Sequence, residues 1–238
     1  MKIGLLNAYA YNPDVEDFRQ EYGAMFQRFF TEHVSSEFSL HEYNVTQRDW
    51  PNSMHECDGW IIGASQHSVH DKASWITKLM EFACACHFNQ KLLIGIGFGH
   101  QVIAHALGGE VNKSRKGWGA GVRDFNIRQK KNWMTPELAT CSLSFSHKEQ
   151  IDMLPGQATL LAGDGFCLHQ MYSIGEHIFA LQGHPEYDCS FIQNWINEYK
   201  NKLTVECYEQ ALASLNQSTH SSVVGGWMQQ FFAMNRVI

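Results

Sequence analysis

A chain of 238 residues can bury one sizeable core, and 44% hydrophobic against 18% charged residues excludes wholesale disorder and fibrous repeats. A net charge of -6 with no Lys/Arg run gives no footprint for a nucleic-acid backbone or an anionic membrane, so a small molecule or a protein is the expected partner. Seven cysteines without a paired framework read as reduced thiols, and Met1-Lys2 runs into an apolar stretch too short for a leader, so the cytoplasm is the expected address.

Ile3 to Asn7 reads as a buried strand. After it Phe18, Tyr22, Met25, Phe26, Phe29 and Phe30 fall on one face at helical spacing, a core stripe. Phe38 to Val45 alternates moderately and reads as a less buried strand of the same sheet. Asp58 to Gly63 is a further strand, followed by a helix that turns Trp75, Ile76, Leu79, Met80 and Ala83 inward, and Lys91 to Ile96 is a third buried run. Strands alternating with helices predict an α/β fold with a doubly wound, mostly parallel central sheet flanked by helices. From Gly117 to Gly183 short alternating segments are separated by Pro155-Gly156, Gly163-Asp164-Gly165 and Gly175-Glu176, turn signals that predict antiparallel hairpins. The remainder is helical, with stripes at Ile192, Trp195, Ile196, Tyr199 and at Trp227, Met228, Phe231, Phe232, and with Ser214 to Gly226 as a polar loop between them. No internal repeat or low-complexity tract interrupts the pattern, so residues 1–238 are expected to form a single domain.

The segment Leu92-Leu93-Ile94-Gly95-Ile96-Gly97-Phe98-Gly99-His100-Gln101 runs a strand through alternating glycines into a helix carried on by Val102, Ile103, Ala106 and Leu107. Such a turn presents its central residue, Gly97, at the end of a strand and over a helix N-terminus, a place suited to an anion or a nucleophile. A dinucleotide fingerprint fails because His100 stands where a third glycine belongs, and no Walker lysine follows. His67, His70, His100, His105 and His147 lack the i, i+4 pairing of a helical zinc site, Cys84 and Cys86 point apart on their helix, and neither a metal nor a cofactor is expected. Cys57, Cys141, Cys167 and Cys189 read as core thiols rather than replacement nucleophiles.

The run Gly95 to Gln101, followed by His105-Ala106-Leu107-Gly108-Gly109, resembles the nucleophile elbow of class I glutamine amidotransferases, with Gly97 at the position of the catalytic cysteine. Leu181-Gln182-Gly183-His184-Pro185-Glu186-Tyr187 resembles the segment that carries that family's histidine and glutamate, which map to His184 and Glu186. Ile61 to Asp71 is similar to the oxyanion loop, implying roles for Ala64, Ser65 and Phe98, although Gly63-Ala64-Ser65-Gln66 lacks the expected glycine-containing turn followed by proline. Ser146-His147-Lys148-Glu149-Gln150 is similar to the family's serine-histidine segment and implies, with Ser65 and Gln101, a ligand-binding set of Ser65, Gln101, Ser146 and His147. An acidic residue is expected near Gly119 and is missing. The wording of Gly-His-Pro-Glu-Tyr is nearest to gamma-glutamyl peptidase-like members.

The resemblance implies the flavodoxin-like amidotransferase fold and a thiolate that attacks a glutamine or gamma-glutamyl bond while His184 moves the proton and Glu186 orients the ring. Glycine supplies no attacking atom. The expected function is therefore a catalytically inactive amidotransferase-like protein that binds a gamma-glutamyl or glutamine-like ligand, or a protein partner. The alternatives are an active Cys-His-Glu glutaminase or gamma-glutamyl hydrolase whose cysteine was exchanged for Gly97 by mutation, and an anion or nucleotide binder at the elbow helix.

Overall fold

The computed structural model describes residues 1–9 and 17–235. The central sheet is built from β1 (Lys2–Asn7), β2 (Ser39–Asn44), β3 (Gly59–Ile62), β4 (Leu92–Ile96), β6 (Gly119–Ile127), β7 (Thr140–His147), β9 (Ala158–Gly163), β10 (Met171–Ile174) and β11 (Ile178–Leu181). Their order is β2-β1-β3-β4-β11-β10-β9-β6-β7, and β5 (Glu110–Lys113) pairs with β8 (Glu149–Met153) in a separate two-stranded ribbon. The pairs β2/β1, β1/β3, β3/β4 and β4/β11 are parallel. From β11 outward through β10, β9, β6 and β7 each pairing is antiparallel. Most of the expected hairpin region thus continues the parallel sheet, and β8 alone leaves it to pair with β5.

The parallel strands are buried on both faces, which is why they read as unbroken apolar runs. Ile3, Leu5, Ile61, Ile94 and Ile96 point into one core, where they meet α1 (Tyr22–His33), α4 (Cys189–Glu198) and α6 (Ser221–Met234). Leu6, Trp60, Ile62 and Leu93 point into the other, against α2 (Ser74–Phe88) and α3 (Phe98–Ala106). The strand period of two has sorted these residues between two helical layers, the condition for double winding. At the edge, β2 buries only Tyr43 fully, which accounts for its weaker alternation.

Two sequence expectations change. The loop expected over residues 214–226 is much shorter, because α5 (Val205–Ser214) reaches Ser214 and α6 begins at Ser221. The Thr204 hydroxyl accepts from the Cys207 amide and starts α5, a cap that the apolar pattern did not register. Cys189, expected in the core, is exposed at the first position of α4, whereas Cys57, Cys141 and Cys167 are buried. Burial pushes the Cys141 and Cys167 thiols up to about 12, far from a reactive thiolate.

Candidate active site

The site lies at the C-terminal ends of β4 and β11, the place where open α/β sheets hold ligands. The chain leaves β4 at Gly97, which has φ 57 and ψ -106, and enters α3 at the next residue. That conformation is one that glycine reaches freely and a side chain does not. Gly99 is required for another reason: a Cβ there would lie 2.1 Å from the Ile62 carbonyl oxygen, so only glycine lets α3 sit this close to β3. The Gly97 amide donates to the Leu181 carbonyl at 2.9 Å, tying the elbow to the end of β11.

Beyond β11 the chain carries His184, whose amide donates to the Ser144 carbonyl on β7 at 2.8 Å. His184 and Glu186 are 3% and 2% exposed. The His184 Nδ1 donates to Glu186 Oε1 at 2.9 Å, and the Tyr22 hydroxyl donates to the same oxygen at 3.0 Å. Tyr22 in turn accepts from the Ala64 amide at 3.0 Å. The imidazole lies flat on the Tyr187 ring, 3.9 Å between centroids with 2° between planes, and the Tyr187 and Tyr9 hydroxyls are 2.8 Å apart. Burial, followed by the nearby Glu186 charge, raises the Tyr22 hydroxyl well above its usual value. A neutral phenol that donates to a carboxylate is the form this network needs.

The His184 ring stands directly over the elbow. A Cβ at residue 97 would lie 2.3 Å from Cε1 and 2.7 Å from Nε2 of His184. The space in which any side chain at residue 97 would begin is therefore filled by the imidazole.

In front of the ring a cavity of about 280 Å³ is lined by Gly97, Phe98, Ser65, Gln101, Ser146, His147 and His184, bringing most of the sequence-derived residues to one place. Ala64 and Glu186 lie behind that wall, the first with its amide engaged by Tyr22. Gln101 Nε2 donates to the Glu149 carbonyl and to Gln182 Oε1, both at 2.9 Å. The Ser146 hydroxyl donates to Tyr187 at 3.4 Å. His147 donates through Nδ1 to the Glu149 carbonyl at 3.0 Å, so its Nε2 bears a lone pair, and that atom lies 2.6 Å from where a Cβ on Gly119 would stand. Burial pushes His147 down to about 3, and His100, which donates to the His169 carbonyl at 2.9 Å, likewise to about 3. His67 pairs with Asp71 at 2.9 Å, and His70 packs edge-on against His105.

Sequence reasoning missed the residues around this set as cavity residues, although Lys148 stands in the quoted serine-histidine segment and Trp195 and Tyr199 in a stripe read as helical. Arg19, Lys113, Lys148, Trp118, Trp195 and Tyr199 also line the cavity. Tyr22 was legible only as one ring in a core stripe, since hydrophobic spacing records the ring and not the hydroxyl. Tyr187 stood in the quoted motif and could have been found there.

The profile of class I glutamine amidotransferases matches residues 24–196. Gamma-glutamyl peptidase 3 of Arabidopsis thaliana is 29% identical over 214 residues, covering 87% of this chain and 85% of that protein. Gamma-glutamyl peptidase 4 of the same plant is 29% identical over 183 residues, 74% of this chain and 73% of its own. A crystal structure of a glutamine amidotransferase from Thermotoga maritima superposes with a TM-score of 0.76 at 16% identity, covering 98% of this chain and 97% of that one, which speaks for the fold. With the profile spanning well over half of its residues, this chain belongs to the class I glutamine amidotransferase family.

Proposed function

We propose that this protein is a non-hydrolysing member of its family whose cavity binds a gamma-glutamyl or glutamine-like ligand. The observation that carries the reading is the elbow: its central residue faces the His184 imidazole, and that residue is a glycine with nothing to attack with. Removing the nucleophile of a catalytic triad costs about a factor of 10⁶ in turnover. What supports retention of binding is the rest of the site, since the cavity, the His184–Glu186 pair and the polar wall of Ser65, Gln101 and Ser146 are all in place.

The imidazole stands in the space that a side chain at residue 97 would need. The Trp227 indole donates to the Pro136 carbonyl at 3.0 Å, and α6 packs on α1, contacts consistent with one domain over residues 1–238. Among the described residues no helix is long and apolar enough to cross a membrane.

The test is calorimetry and thermal shift with glutamine, glutamate and gamma-glutamyl dipeptides. Saturable heat with at least one of them is expected. Silence with all of them would replace the ligand reading with a protein partner.

A further inference from the structure

The His184 Nε2 has no hydrogen-bond partner among the described residues, although the residue is 3% exposed and lines the cavity. Its other nitrogen donates to Glu186, so a carboxylate is already placed to stabilise an imidazolium if Nε2 takes up a proton. The N-terminus of the nine-residue helix α3 opens at the same point, with Phe98 as its first residue on the cavity wall. Helix N-termini favour negative charge.

The charges on the wall agree. Arg19, Lys113 and Lys148 line the cavity, and Glu149 is the one carboxylate among the described lining residues. Both Glu149 oxygens accept from the Ser68 hydroxyl at 2.9 Å, and Arg19 is held by Asp17 and Glu198. Lys113 and Lys148 form no ion pair among the described residues. The titratable rings that face His184 from other elements are neutral. His100 on α3 and His147 on β7 are held neutral by burial, as are Tyr22 on α1 and Tyr187 and Tyr9 around the ring. A thiolate at the elbow would repel an incoming anion; glycine does not.

Resting on the reading that the cavity takes a glutamyl-like molecule, we propose that His184 recognises a free side-chain carboxylate on that molecule, so that the cavity prefers L-glutamate to L-glutamine. One proton passes from solvent to Nε2 as the ligand enters, and no covalent bond forms or breaks. The imidazolium then lies between two carboxylates, that of Glu186 and that of the ligand, with the helix terminus beside it.

The experiment is titration calorimetry of the full chain at pH 6.5 with L-glutamate, L-glutamine and inorganic phosphate, each in two buffers of different ionisation heat. L-glutamate should bind at least about tenfold more tightly than L-glutamine, with a buffer-dependent heat that reports proton uptake. His184→Gln should remove both the preference and the uptake. If that variant fails to fold, Glu186→Gln, which keeps an acceptor for Nδ1 but loses the charge, should abolish the uptake in its place. L-glutamine binding as tightly as L-glutamate overturns the carboxylate preference and leaves the cavity reading standing. Phosphate binding as tightly as L-glutamate also overturns it, by reducing the site to a general anion-binding helix terminus. No heat with either amino acid overturns it too, and if gamma-glutamyl dipeptides are also silent the cavity reading falls with it.

Discussion

The two loops that meet at this site are built to different standards. The loop after β11 holds His184 with a carboxylate, a stacked phenol ring and a backbone bond to β7, and Tyr22 links that carboxylate to the Ala64 amide. The loop after β4 presents a bare glycine and a helix terminus. Burying a carboxylate and an imidazole together costs desolvation that hydrophobic residues would avoid. A network kept intact opposite a glycine elbow is what the proposed non-hydrolysing binding site would retain.

The largest effect expected from this contrast is on acid stability. His100 and His147 have folded values lowered to about 3 by burial, against an unfolded value near 6.5. Their stabilising contribution is complete above pH ~6.5 and is lost as pH falls towards ~3, on the order of 5 kcal/mol each. The double variant His100→Gln/His147→Gln should flatten the acid limb of a denaturant-midpoint profile. An unchanged acid limb would show that these histidines are already charged, and that His184 does not stand among neutral neighbours.

Next is Gly97→Cys. Backbone strain at φ 57 accounts for about 1–3 kcal/mol, and the clash of Cβ with His184 adds to it, so a loss of roughly 3 kcal/mol is expected, about 6–12 °C in Tm. A mutant as stable as its parent would mean that the ring swings aside at no cost. Tyr22→Phe tests the connected half: it leaves the buried Ala64 amide without an acceptor and should cost about 2 kcal/mol. A change near zero would show that the link to Glu186 is incidental.

The smallest effect lies just outside the site. Asp188 caps α4 by accepting from the Phe191 amide at 2.8 Å. Burial alone would raise its carboxyl, but the bonds from Ser190 and Phe191 and the Arg28 charge hold it below the usual range. Its contribution is therefore present above the unfolded value of about 3.9 and is lost as pH falls through the lower folded value. Asp188→Ala should cost about 1 kcal/mol at pH 7 and nothing in strong acid. A cost that persisted in acid would assign the effect to packing.

The difference between the two loops was only half legible in the sequence. Gly97, His184 and Glu186 could be read because each stands in a run whose neighbours fix a sharp turn or a strand end. The parallel strands could be read because residues buried on both faces are apolar without interruption. The α5 helix could not, since it fully buries only Ala211 and Ser214 and so carries no stripe. Nor could the position of the His184 ring over Gly97, which depends on the approach of β4 and β11 across the sheet. Conformational freedom at a glycine is visible in sequence, whereas the group that stands beside it is not.

The central claim, that the site binds but does not hydrolyse, is tested most directly by following ammonia release from glutamine and glutamate release from a gamma-glutamyl dipeptide over hours at high protein concentration, with His184→Ala alongside. The account predicts identical background rates for the protein and the variant. Turnover by the protein that disappears in His184→Ala would contradict it, because another nucleophile would then be working with His184.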